Sequence, residues 1–167
     1  MHLDVFLTPC ALTDEDLEGR IAVVIDVLRA TTTITSALSA GARSVRPAAD
    51  RQAVERLVAQ AEDENYLRAG ERDGIKIDGY DLGNSPLDHT TQAVADKTVI
   101  LTTTNGTRAL AKARAAAEVV VASLLNSYRV AQFLQESARD VVLLCAGRYN
   151  RPALEDSLCA GRIVHHL

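Results

Sequence analysis

Short, unbroken apolar runs alternate along this chain with longer stretches in which apolar residues recur every three or four positions. Ile21–Ile25, Thr98–Leu101, Val119–Ala122 and Val141–Cys145 are runs without a charge. Such runs suit strands covered on both faces, as in parallel sheets. Leu3 to Leu7 contains Asp4 and is expected at an edge, and Ser44 to Pro47 reads as one more short strand. Helical spacing fills the intervals. A helix is expected to start near Thr31 or Thr32, bury Ile34, Ala37 and Leu38, and stop at Gly41. Asp50 should cap another, with Ala53, Val54, Leu57, Val58 and Ala61 on one face. Further helices are expected over 106–116 and 127–137, the latter capped by Asn126, and a last one opened by Pro152. Regular alternation of strand and helix predicts one layered α/β domain over residues 1–167, with a largely parallel sheet.

The rhythm breaks between Ala69 and Asp88, where glycines and charged residues crowd together. A long irregular segment in a compact domain is usually functional or disordered, and the interleaved Ile75, Ile77, Tyr80 and Leu82 favour order. It reads as an active-site loop.

Composition narrows the class. Among 167 residues there is no Trp and there are only two Phe, so the core must be built from Ala, Val, Leu and Ile. A net charge of −4 with interspersed signs argues against a general nucleic-acid surface. No apolar run approaches membrane-spanning length, and no basic segment precedes an apolar one at the N-terminus. Three cysteines without CxxC spacing suit a reducing compartment, so the expected location is cytoplasmic.

Candidate chemistry lies where strands are expected to end. Asp26 directly follows five apolar residues, and an acid so placed costs desolvation unless something pairs with it. Arg29 and a divalent cation are the two candidate partners. Thr31 and Thr32 follow, and a second hydroxyl-rich corner, Thr102 to Thr107 with Thr103, Thr104, Asn105 and Gly106, repeats the design. Backbone N–H groups at such junctions can hold phosphate. Ser123 and Asn126 read as turn formers. Glu155 and Asp156 have two readings, complementing the dipole of the last helix or joining Asp26 at a shared metal. Glu71, Asp73, Asp78 and Asp81 offer further oxygen donors, for which Mg²⁺ is the natural ion. Arg72, Arg108, Arg148 and Arg151 could neutralise an anionic substrate. Cys145 reads as a small buried residue, and His165 and His166 lack a zinc-site context. The GxxxxGK[ST] and GxGxxG nucleotide loops are absent.

Five segments together, Val24–Thr33, Gly70–Arg72, Gly79–Pro86, Leu101–Thr107 and Ala153–Gly161, resemble the 2-phosphosulfolactate phosphatase family in sequence and order. The resemblance implies a three-layer α/β/α fold with a largely parallel or mixed central sheet, and a homodimer. It implies a Mg²⁺-dependent phosphoric monoester hydrolase acting on 2-phospho-3-sulfolactate, a step that in methanogens belongs to coenzyme M synthesis. On this reading Asp26, Arg29, Glu155 and Asp156 are catalytic. Thr31, Thr32, Arg72, Thr103, Thr104, Asn105, Gly106, Thr107 and Arg151 bind the small phosphorylated substrate. Asp26, Glu71, Asp81 and Asp156 hold the metal. Family members ordinarily continue well past the segment around Gly161, so residues from that part are expected to be missing. Two rivals follow: a non-catalytic anion-binding or oligomerisation module, and a phosphoacceptor signalling domain. The second is weakened by the lack of a lysine at the end of the last strand.

Overall fold

The computed structural model describes residues 1–61 and 65–167. Its strands divide into two four-stranded sheets rather than one. The first holds β1 (Leu3–Phe6), β2 (Ile21–Ile25), β7 (Glu118–Ala122) and β8 (Val141–Cys145) in the order β1-β8-β2-β7, all parallel. The second holds β3 (Ser44–Pro47), β4 (Tyr66–Arg72), β5 (Ile75–Lys76) and β6 (Thr98–Thr102) in the order β3-β6-β4-β5. Its one antiparallel pairing is the β4–β5 hairpin.

The unbroken apolar runs are explained by double coverage. Along β2, Ile21, Val23 and Ile25 pack to one side and Ala22 and Val24 to the other. Along β8, Val141, Leu143 and Cys145 share the first face, Val142 and Leu144 the second. Helices α5 (Ser127–Ser137) and α6 (Leu154–His166) cover one face of this sheet. Helices α1 (Ala30–Ser39) and α4 (Gly106–Lys112) cover the other, which gives the α/β/α layering. The second sheet packs on the far side of α1 and α4, with Ala69, Val99 and Leu101 in the same core. Its outer face is covered by α2 (Arg51–Ala59), where Val54 meets Ile77, Tyr80 and Ile100. A one-turn helix, α3 (Thr91–Val94), leads into β6. No helix of the described residues is long and apolar enough to cross a membrane.

Several expectations need correction. Leu38 is exposed, because the inward face of α1 is made by Ala30, Thr31, Thr33, Ile34 and Ala37. Asn126 stands at the start of α5, but its side-chain oxygen accepts the Ser123 amide at 2.8 Å instead of capping the helix. Pro152 precedes α6 by two residues, and Ala153 is the capping position. The 69–88 segment is no free loop, since Gly70 to Arg72 belong to β4 and the chain then folds back through β5. Gly41 and Asp50 behave as expected. Gly41 takes a left-handed φ of 93° after α1, and the Asp50 carboxylate accepts the Ala53 amide at 2.7 Å.

Gly161 lies within α6, and a methyl group there would meet nothing within 4 Å. Gly161→Ala should therefore stabilise the protein by about 0.4–1 kcal/mol by restricting the unfolded chain. A raised midpoint in urea denaturation checks this.

Candidate active site

The two sheets bring their carboxyl ends to one place. Ile25 of β2 pairs with Cys145 of β8 and Ala122 of β7, so Asp26 emerges beside Ala146, with Val27 and Gly147 next along the two strands. Gly70 of β4 pairs with Thr102 of β6, so Glu71 and Thr104 emerge together from the second sheet. Ligands of open α/β sheets bind beyond such strand ends. Here a cleft of about 250 Å³ is lined by Asp26, Arg29, Glu71, Asp73, Asn84, Thr104, Asn105, Arg148, Glu155 and Asp156, among others.

Asp26, Glu71 and Asp156 are the buried acids among the described residues, and all three line this cleft. Each is held by backbone amides. Asp26 accepts from Ala30 at 3.2 Å. Asp156 accepts from Val27 at 2.8 Å with one oxygen and from Gly147 at 3.0 Å with the other, tying the ends of β2 and β8 together. Glu71 accepts the Thr104 amide at 2.7 Å, the Gly74 amide at 2.7 Å and the Thr104 hydroxyl at 3.1 Å. None of the ion pairs among the described residues involves these three acids. Burial first, then the charges of Asp156 and Glu71, push the Asp26 carboxyl up to about 7, against the pull of the Ala30 and Gly106 amides. Burial likewise raises Asp156, opposed by its two amide hydrogen bonds.

Three converging acids without a paired cation leave an excess of negative charge, and hard oxygen donors suit Mg²⁺. Among the described residues no three acids already lie close enough to ligate one ion unaided. Mg²⁺ needs only one or two carboxylates, completing its octahedron with water and substrate phosphate. Asp26 and Asp156 fit that demand.

The hydroxyl-rich corners serve mainly to close the turns. The Thr31 hydroxyl donates to the Asp26 carbonyl at 2.8 Å and accepts the Asp26 amide at 3.0 Å. Thr32 donates to the Val27 carbonyl at 2.6 Å. At the second corner the Thr107 hydroxyl donates to the Thr103 carbonyl at 2.9 Å and accepts its amide at 3.1 Å. The Thr103 hydroxyl accepts the Thr107 amide at 3.1 Å. These four threonines lie outside the cleft lining, while Thr104 and Asn105 remain in it. Gly106 backs the site: a methyl group there would overlap Ala30 and the Asp26 carboxylate.

Three other candidates also stand away from the lining. Arg72 donates to the Glu71 carbonyl at 2.7 Å and the Thr102 hydroxyl at 3.0 Å, which lays it along β6. Arg151 closes a turn with Arg148 through backbone hydrogen bonds. Asp81 spends a carboxylate oxygen on the Arg68 amide at 2.8 Å. The cleft instead takes its cations from Arg29 and Arg148. Tyr149, whose hydroxyl donates to Asp73 at 3.4 Å, bridges the turn after β8 to the β4–β5 hairpin. Cys145 is buried, and burial pushes its thiol up to about 12, which removes it as a nucleophile.

Asn84 escaped the sequence reasoning. It is 5% exposed, lines the cleft, and its side-chain oxygen has no hydrogen-bond partner. The only sequence signal for it is its place in the Gly79–Pro86 motif.

Glu71→Gln would set an amide N–H against at least one of the donors that its carboxylate now accepts. A loss of about 1–3 kcal/mol in urea-denaturation stability is expected, since a buried donor is left unmade.

An α/β rim that gathers buried acids and two arginines in one small cleft defines a site suited to small anionic ligands such as phosphate esters. Comparison with known proteins gives the family. The family model for 2-phosphosulpholactate phosphatase matches residues 6–167. A protein of Caldanaerobacter subterraneus subsp. tengcongensis named "Probable 2-phosphosulfolactate phosphatase" is 42% identical over 167 residues, covering 100% of this chain and 69% of its own length. Relatives of the same name from Symbiobacterium thermophilum and Thermotoga petrophila are 43% and 44% identical. They are covered over 66% and 68% of their lengths, for 92% and 99% of this chain. The chain belongs to the 2-phosphosulfolactate phosphatase family, a family of phosphoric monoester hydrolases, and spans about two thirds of the length of these relatives.

Proposed function

We propose that this protein hydrolyses the phosphate monoester of 2-phospho-3-sulfolactate, giving sulfolactate and phosphate, with Mg²⁺ as cofactor. The observation that carries the reading is the convergence of Asp26, Glu71 and Asp156 with Arg29 and Arg148 in one cleft. Asp26 and Asp156 would hold the ion. When bound, Mg²⁺ supplies charge neutralisation and polarisation of the phosphoryl group.

The chain's own groups do the rest. Arg29 and Arg148 meet phosphoryl oxygens with fixed N–H forks. Glu71 fixes the Thr104 turn and the Gly74 hairpin in one piece, so the rim of the cleft keeps its shape as charge moves. Asp156 sets the spacing between the ends of β2 and β8 and so positions Asp26. The buried Asp26 carboxylate lies at the floor of the cleft and orients the reacting oxygen opposite the leaving group. Homodimeric and cytoplasmic states belong to the same proposal.

Release of inorganic phosphate from 2-phospho-3-sulfolactate with Mg²⁺, lost with chelator and restored by added Mg²⁺, is the expected result. Binding of phosphate and Mg²⁺ in titration calorimetry without turnover would overturn the phosphatase reading and favour a binding module.

A further inference from the structure

Beside the acid-lined cleft lies a second pocket, of about 230 Å³, with the opposite electrostatic character. Arg108 and Lys112 line it from α4, and Cys10 and Asn150 line it from the turns after β1 and β8. Thr104 and Asn105 line both pockets, so the two are separated only by that corner. Arg108 and Lys112 stand four residues apart, hence on one face of α4, where like charges repel. Neither takes part in an ion pair among the described residues. An anion seated between them would relieve that repulsion and gain charge-assisted hydrogen bonds.

We propose that this pocket is the specificity subsite of the enzyme: Arg108 and Lys112 bind the sulfonate of the substrate while its phosphate occupies the neighbouring cleft. The inference rests on the phosphatase reading and adds to it what selects the substrate. Two adjoining lobes, one beside buried acids and one whose charged residues are both cationic, suit a short molecule that carries a phosphate and a sulfonate on neighbouring carbons. A sulfonate keeps its charge at every working pH, so a guanidinium and an ammonium can hold it without a proton-transfer partner. Of the four arginines that the sequence offered for an anionic substrate, Arg108 lines this pocket and Arg148 the neighbouring cleft, whereas Arg72 and Arg151 line neither.

The test uses the double variant Arg108→Gln with Lys112→Gln, both surface positions. With 2-phospho-3-sulfolactate the loss should fall on KM rather than kcat. The preference for that substrate over p-nitrophenyl phosphate should drop about ten- to a hundredfold, as expected for lost charge-assisted contacts. A second readout needs no turnover. Cys10 is the exposed cysteine, whereas Cys145 and Cys159 are buried, so iodoacetamide should report on Cys10. Sulfolactate should slow that alkylation in the wild-type protein and not in the double variant, and inorganic phosphate at the same concentration should protect less. An unchanged KM and preference, or equal protection of both proteins by sulfolactate, overturns the subsite. If the wild-type protein turns over no phosphate ester, the phosphatase reading fails and the alkylation arm alone still decides whether the pocket binds a sulfonate.

Discussion

Replacing Asp26 by Asn is expected to lower phosphate release by about 10³-fold or more, while making the metal-free protein more stable at pH 8. The two effects have one cause. Burial and the nearby acids raise the Asp26 carboxyl from 3.8 to about 7. A group whose folded value lies above its unfolded one adds stability below the unfolded value and loses it as pH rises through the folded one. At pH 8 Asp26 is therefore ionised at a cost. A move from 3.8 to about 7 corresponds to about 4 kcal/mol. Asn keeps a carbonyl oxygen for the Ala30 amide and carries no charge, but its own N–H groups need partners. A net gain of about 1–3 kcal/mol at pH 8 is the expected remainder. At pH 5 the folded Asp26 is protonated while that of the unfolded chain is still ionised, so the advantage of Asn should shrink by about 2–3 kcal/mol, and the whole contribution is gone only below the unfolded value of 3.8. Urea denaturation with chelator at the two pH values measures both. Mg²⁺ should then stabilise the wild-type protein and leave the variant nearly unaffected, through ligand linkage. A variant less stable than wild type at pH 8 would mean that the amides of Ala30 and Gly106 outweigh the burial of the charge.

That prediction was within reach of the sequence because five apolar residues ending in Asp announce a buried acid. Other parts were not. Tyr66 to Arg72 gives no strand signal, since β4 mixes Arg68, Gly70 and Glu71 with its apolar residues. The structure accommodates each separately. The Arg68 guanidinium lies 5.8 Å from the centre of the Tyr66 ring, Gly70 lets the chain approach Thr102, and Glu71 is satisfied by amides. The division into two sheets was equally hidden, because neighbour order is decided by pairing across the chain and not by local pattern. The threonine corners were found but their work was misjudged. A hydroxyl that can reach phosphate can also reach its own turn, and only coordinates show that Thr31 and Thr107 do the latter. Choosing among the arginines likewise required three dimensions: Arg29 and Arg148 face the cleft through the register of β2 and β8, whereas Arg72 is one residue past Glu71 and points along β6.

Gly106→Ala is expected to damage activity and stability together, the opposite signature to Asp26→Asn. Gly106 opens α4 at the floor of the cleft, and a methyl group there would overlap both the Ala30 side chain and the Asp26 carboxylate. Neither neighbour is the free end of a flexible chain. Ala30 begins α1, and Asp26 is pinned through its main chain by the Thr31 hydroxyl and through its carboxylate by the Ala30 amide. The overlap must therefore be relieved by separating α4 from the β2–α1 corner, which also opens the core where Ala109 and Leu110 pack against Ala22 and Val24. Overpacking of that kind costs about 1–3 kcal/mol. Displacing Asp26 by a fraction of an ångström to one ångström relative to Thr104 and Arg29 should lower kcat by about 10²-fold. Urea denaturation and steady-state turnover give the two numbers. Gly161→Ala, where the added methyl group meets open space, is the matched control and should change neither in the same direction. A Gly106→Ala protein with wild-type turnover would show that the close contact of α4 with Asp26 has no part in shaping the reaction centre.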